Sequence, residues 1–230
     1  MDLGTGFVTR SAAPAGAPLW MRAGASDAAP RILGSILVSD LAGACVAVRI
    51  TEVEAYGGEG QDPGSHAYRG RTPRNAVMFG PPGDLYVYFT YGMHWCSNIV
   101  VGSEGEASAV LLRAGEIVEG VEAARARRPS SRCDRDLARG PARLAAALGL
   151  GADANGIRLF DPRSPVRLEV ARRPLAVHAI TPRTGVSGEG ALTPWRFAAD
   201  HPTVSPYRPA QPRRRRGGPD PGRVCEDDSS

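Results

Sequence analysis

Lysine is absent from the chain. All 28 residues counted as Lys or Arg among its 230 are arginine, so no side-chain amine is available to form a Schiff base with a carbonyl carbon. Cysteine and histidine are scarce, at four each. Cys45, Cys96, Cys133 and Cys225 lack paired spacing, which argues against a disulfide framework or a zinc site and fits a reducing cytoplasm. His66, His94, His178 and His201 show no metal-ligand spacing. Neither a metal nor an organic cofactor is expected. No apolar run approaches a membrane span, and the first residues lack a charged start followed by an apolar stretch. Membrane insertion and secretion are therefore not expected.

What remains describes one ordinary domain. Hydrophobic residues make up 42% of the chain, enough for a sizeable core at this length. The net charge is +4 with a pI of about 9.1. That balance suits a nucleic-acid partner without establishing one, since a compositional bias toward Arg, Ala, Gly and Pro accounts for much of the arginine count. Residues 1–26 are rich in Ala, Gly and Pro with no apolar period and read as a mostly flexible extension. Residues 27–208 carry the domain. Residues 209–230 combine proline with like-charge runs and little to bury, so disorder is expected. Their Arg213–Arg216 run could touch phosphates, but a solvated tail is the simpler reading.

Within the domain, Asp27 opens a short helix to about Leu33, and SILVSD and GACVAVRITEVEAY read as strands. Gly57 to Gly83 is a loop long enough to suggest function. DLYVYFTYGMHWCSNIVVGS predicts two strands broken near Tyr91 and Gly92, and ASAVLLRA a third. EIVEGVEAARARR has helical spacing through Val118, Val121 and Ala124. GPARLAAALGL predicts a helix with Pro141 near its first turn, and GIRLF and SPVRLEV resume strands. The sum is an α+β fold, one domain with a curved, largely antiparallel sheet flanked by short helices.

One strand is unusual. By simple alternation, Val46, Val48, Ile50, Glu52, Glu54 and Tyr56 share a face, which begins as core and ends in two acids. Two readings stay open: a strand reaching solvent, with a bulge able to swap the faces, or a strand delivering an acid to a pocket. Burial and a nearby partner tune carboxylates for acid-base work in such places. Tyr56, Tyr88 and Tyr91 offer rings suited to a flat heterocycle, although strand tyrosines more often pack, as expected of Tyr86.

The stretches RITEVEAY, SHAYRGRTPRN, MF before PGDLYVY, YGMHWCSN and VLLRA together resemble the alkyladenine (3-methyladenine, methylpurine) DNA glycosylase family. The likeness covers roughly residues 30–205. It implies that Glu54 is the general base activating water, and that Tyr56, His66 and Tyr88 wall the base pocket. Asn98 would exclude normal guanine, and Tyr91 would enter the duplex as a wedge. Arg113 would stand near the water and the flipped nucleotide's phosphate, and Met78 would touch DNA opposite the lesion. Val186, in RTGVSG, matches a water-contacting position in a stretch that aligns poorly.

The resemblance implies a base-excision repair enzyme acting on double-stranded DNA with damaged purines: 3-methyladenine and related alkylated bases, with hypoxanthine and ethenoadenine as further candidates. A monomer is expected, in the cytoplasm and on the nucleoid if the cell is bacterial. Without lysine, an abasic site should be left uncut, whereas Glu52 reads as structural. The competing readings are a nucleosidase acting on free nucleosides or RNA, and a nucleic-acid-binding module without chemistry.

Overall fold

The structure is a computed structural model describing residues 16–207. Among these described residues, nine strands form one sheet in which every pairing is antiparallel, and three α-helices lie against it. The strands are β1 (Ile36–Ser39), β2 (Val46–Tyr56), β3 (Asp84–Thr90), β4 (His94–Val100), β5 (Ala109–Glu119), β6 (Ile157–Arg158), β7 (Val166–Glu169), β8 (Val177–Thr181) and β9 (Arg196–Ala199). They run in the order β6-β3-β4-β5-β2-β1-β7, while β9 joins β2 and carries β8 outside it. The helices are α1 (Ala25–Ile32), α2 (Val121–Arg127) and α3 (Pro141–Leu148). This is the α+β architecture expected from the strand and helix patterns.

Helix α3 forms where its punctuation says it should. Pro141 sits in its first turn, and Gly149 ends it at φ +70°, the left-handed conformation that glycine adopts without steric cost. Its Leu144, Ala145, Ala147 and Leu148 enter the main core, together with Ile32 of α1 and Leu85, Ile99 and Leu112 of the sheet.

Three expectations need correction. The packed body begins before residue 27: Met21 is fully buried in the core, and α1 starts at Ala25 with Gly24 at its cap and Asp27 inside its first turn. The EIVE segment is strand, because Glu116, Ile117 and Glu119 pair with Arg49, Val48 and Ala47. The helix starts only after Gly120, whose φ of +77° turns the chain close over Cys45. Strands β8 and β9 had no clear signature. The Arg213–Arg216 run lies outside the described residues.

The decisive irregularity lies in β2. Ile50 faces Gly115, Glu52 faces Ala114 and Val53 faces Leu112, so Thr51 and Arg113 are left without partners in this ladder. Such a bulge shifts side-chain parity. Val46, Val48 and Ile50 enter the core before it, Val53 and Ala55 after it. Simple alternation therefore fails here. Glu52 and Glu54 lie on the face opposite the valines, and the open possibility of a face swap is the one realised.

Candidate active site

The loop from Gly57 to Gly83 is held by two internal anchors. Asp62 accepts the N–H groups of Gly57 and Gly64, each at 3.0 Å. The side-chain amide of Asn75 donates to the carbonyls of His66 and Gly70, and its oxygen accepts the N–H of Thr72. Asp62 is also gripped by the buried Arg183, with N–O distances of 2.6 and 2.7 Å. Burial alone would raise the Asp62 carboxyl, but Arg183 and the two N–H groups outweigh it and hold the acid below its usual value.

The same Arg183 stacks behind Tyr56, 4.6 Å from its ring centroid, with Trp195 at 5.3 Å. It also donates to the carbonyl of Ala55 at 3.0 Å. One buried guanidinium thus ties the loop, strand β2 and the rear of an aromatic ring together. Such bidentate, charge-assisted contacts are strong and directional.

Both glutamates of β2 are wholly buried. Glu54 accepts the Thr184 N–H at 2.7 Å on one oxygen. Its other oxygen accepts the Tyr56 hydroxyl at 2.9 Å and lies 3.2 Å from an Arg113 amino group. Glu52 receives Nε of both Arg113 and Arg196 at 2.7 Å, with Ser205 donating through its N–H and its hydroxyl. Burial would raise the Glu52 carboxyl, yet the two arginines and Ser205 hold it low. For Arg113, burial is likewise outweighed by Glu54 and Glu52, which keep it charged.

Tyr56 and Arg113 open onto a cavity of about 370 Å³, further lined by His66, Tyr88, Asn98 and Val186. That size falls within the roughly 300–1,000 Å³ of small-molecule sites. His66 meets the Tyr88 ring edge-on at 4.6 Å, and its Nδ1 lies 3.3 Å from the Tyr86 hydroxyl. Burial, and then Arg74, push the imidazole below its ordinary value, so it is neutral near pH 7. Burial raises Tyr86 to about 12 and raises Tyr88 as well, so both stay as neutral phenols. Asn98 donates to the Tyr86 carbonyl at 3.1 Å, which fixes its amide in the wall.

At the rim, Tyr91 and Gly92 have φ of +52° and +67°, and the Met93 N–H donates to the Thr90 carbonyl at 3.2 Å. Positive φ at both central positions is the pattern of a type I′ hairpin turn. Tyr91 is 85% exposed there, flanked by exposed Phe89 and Met93. Met78 is different: at 2% exposure it lines the cavity from within a small cluster with Ala67 and Tyr86.

Residue-by-residue reading overlooked Thr184, Arg183, Asp62, Arg196 and Ser205. Thr184 offers a backbone N–H, which any residue but proline carries, so only the fold reveals it. Among the described residues, no group of three His, Cys, Asp or Glu side chains is placed to hold a metal ion.

The family model for methylpurine-DNA glycosylases matches residues 20–203. A Streptomyces avermitilis protein named "Putative 3-methyladenine DNA glycosylase" is 56% identical over 193 residues, covering 83% of this chain and 90% of that protein. A Nocardia farcinica protein of the same name is 55% identical over 187 residues, covering 79% and 86%. One from Leifsonia xyli is 53% identical over 189 residues, covering 79% and 87%.

Proposed function

The chain belongs to the methylpurine-DNA glycosylase family, and from that premise we propose that it hydrolyses the N-glycosidic bond of 3-methyladenine and related purines flipped out of duplex DNA, with Glu54 as general base. The observation that carries this reading is the setting of Glu54. It is a buried carboxylate with both oxygens oriented, and the Tyr56, Arg113 and Thr184 that hold it all line the base-sized cavity.

Breaking the bond builds positive charge on the sugar. A fixed carboxylate stabilises that charge and takes a proton from the attacking water. The departing 3-methyladenine is itself cationic before cleavage, so it leaves without an acid. This removes the need for the second carboxyl that ordinary glycosidases use. A neutral His66 adds no opposing charge, and the rings of Tyr56 and Tyr88 favour an electron-poor base by stacking and cation–π attraction. Asn98, pinned to the wall, would crowd the exocyclic amine of guanine. Tyr91 would fill the space left in the duplex, offsetting part of the few kcal/mol that base extrusion costs.

Hypoxanthine and ethenoadenine leave as neutral bases, and their inclusion is a finer part of the proposal. So is a monofunctional outcome: with no lysine, water is the nucleophile and the abasic strand stays intact. The test is base release in EDTA from duplexes bearing each lesion and from the free nucleosides. The parent should release 3-methyladenine from duplex and give no borohydride-trapped adduct. Glu54→Gln should bind lesion DNA yet lose about 10²–10⁴-fold in rate, the usual worth of a positioned base. Equal cleavage by the variant would sink the assignment. Faster turnover of free nucleoside than of duplex would favour a nucleosidase.

A further inference from the structure

A second polar hollow, of about 250 Å³, is lined by Arg128, Ser130, Ser131, Arg132, Asp136 and Arg143. It lies between the end of α2 and the start of α3. The acids of this loop are committed to other arginines. Asp134 holds Arg125 at 2.8 and 2.7 Å, and Asp136 lies 3.4 Å from Arg139. Among the described residues, no ion pair neutralises Arg128, Arg132 or Arg143. The contrast with the next residue is sharp. Arg127 donates to the carbonyls of Ala147, Leu41 and Ala44, whereas Nε of Arg128 is buried without a partner.

Two further facts point to an anion. Burial, and then the neighbouring charge of Arg143, push Arg128 below its ordinary value, as expected for cations facing each other across an empty space. Helix α3 has no side-chain cap and no acid in its first turn, yet Arg143 stands there. A cation at a helix start opposes the helix dipole, and a bound anion relieves both conflicts. The hydroxyls of Ser130 and Ser131 add neutral donors at the same place. A tetrahedral oxyanion matches this set of forked guanidinium and hydroxyl donors.

The position selects the source of that anion. Pro141, two residues before Arg143, lines the base cavity, and Arg139 bridges to Ala114 beside Arg113. The loop from Arg128 to Arg143 thus runs from the hollow to the cavity wall. We propose that the Arg128–Arg132–Arg143 hollow seats one backbone phosphodiester of the DNA, flanking the nucleotide that occupies the cavity. This rests on the glycosylase reading for its ligand.

The test is the salt dependence of duplex binding by the full chain. Each neutralised phosphate contributes about 0.9 to the slope of log K against log salt. Arg143→Gln, Arg128→Gln and the double variant should weaken binding of lesion and undamaged duplex by the same factor, because a phosphate carries no sequence information. The double variant should lower the slope by about 1, and Arg143→Glu, at an exposed position, guards against a folding defect in Arg128→Gln. Exposed Arg172→Gln serves as the control and should leave the slope unchanged.

An unchanged slope in Arg143→Glu would overturn the proposal. So would thermal stabilisation of the parent, but not of the double variant, by inorganic phosphate with no change in DNA binding; that result would assign the hollow to a free anion. Loss of base release in the parent with the slope change intact would instead count against the glycosylase reading alone.

Discussion

Arg113 spans both carboxylates of β2. Its Nε lies 2.7 Å from Glu52 and an amino group 3.2 Å from Glu54. Because Arg113 occupies the unpaired position on β5 and Thr51 the unpaired position on β2, the bulge itself brings the guanidinium between the two acids. Glu52 and Arg196 complete an alternating row of charges. Of the four, Arg113 lines the cavity while the other three lie buried behind it, so the one cation in the wall is already paired with Glu54 and Glu52.

Removing one member of that row should be costly. Glu52→Gln would leave Arg113 and Arg196 buried without their shared anion, a loss of about 3–5 kcal/mol by analogy with other broken buried pairs. Urea unfolding at pH 7 would measure it as a lowered midpoint. The pH dependence has a definite sign. The folded carboxyl is held below its ordinary 4.5, so its contribution is present above about pH 4.5 and lost as pH falls through the folded value. The variant should lack that acid-side decline.

Tyr56→Phe keeps the ring and deletes the hydroxyl that donates to Glu54 at 2.9 Å. A hydrogen bond to a charged group is worth about 1.5–3 kcal/mol, so kcat should fall roughly ten- to a hundredfold. KM should change little, because stacking on the base survives. A raised KM with unchanged kcat would show that the hydroxyl serves binding instead.

His66 supplies an independent check in solution. Burial and Arg74 depress its imidazole below 6.5, so the unfolded chain takes up a proton before the folded one. Stability should then rise with pH between the folded value and 6.5, and His66→Gln should remove that rise. An NMR titration of the ring would give the midpoint directly. A midpoint above 6.5 would contradict the neutral pocket.

Gly115 is packed where the two ladders lose register. A Cβ there would fall 2.3 Å from Val48 Cγ1 and 2.5 Å from the Arg49 carbonyl oxygen, and the second of these is backbone. Gly115→Ala should cost about 1–3 kcal/mol by overpacking, and it should reduce activity by disturbing Arg113 and Glu52 next door. Thermal unfolding and base release on one preparation would follow both.

The sequence displays its local features clearly. The Tyr91–Gly92 break, the strands either side of it, and α3 between Pro141 and Gly149 all follow from neighbours a few residues apart. The cavity residues Tyr56, His66, Tyr88 and Asn98 were traceable because they sit in dense, distinctive stretches. What stayed hidden depends on distant partners. Ser205 and Arg196 reach Glu52 across about 150 residues of chain, and a bulge has no composition of its own. The EIVE segment illustrates the same competition: its helical spacing yields to pairing with β2.

Thr51 makes the length of strand β2 matter differently at different places. Deleting this residue would leave Ile50, Val53 and Ala55 alternating evenly with Glu52 and Glu54, so both acids would stay turned from the valines. Deleting Val53 instead would transpose the positions after it and drive Glu54 into hydrocarbon. Surface turns elsewhere can gain or lose a residue and merely adjust their course. A missing codon at position 51 should therefore leave more activity than one at position 53.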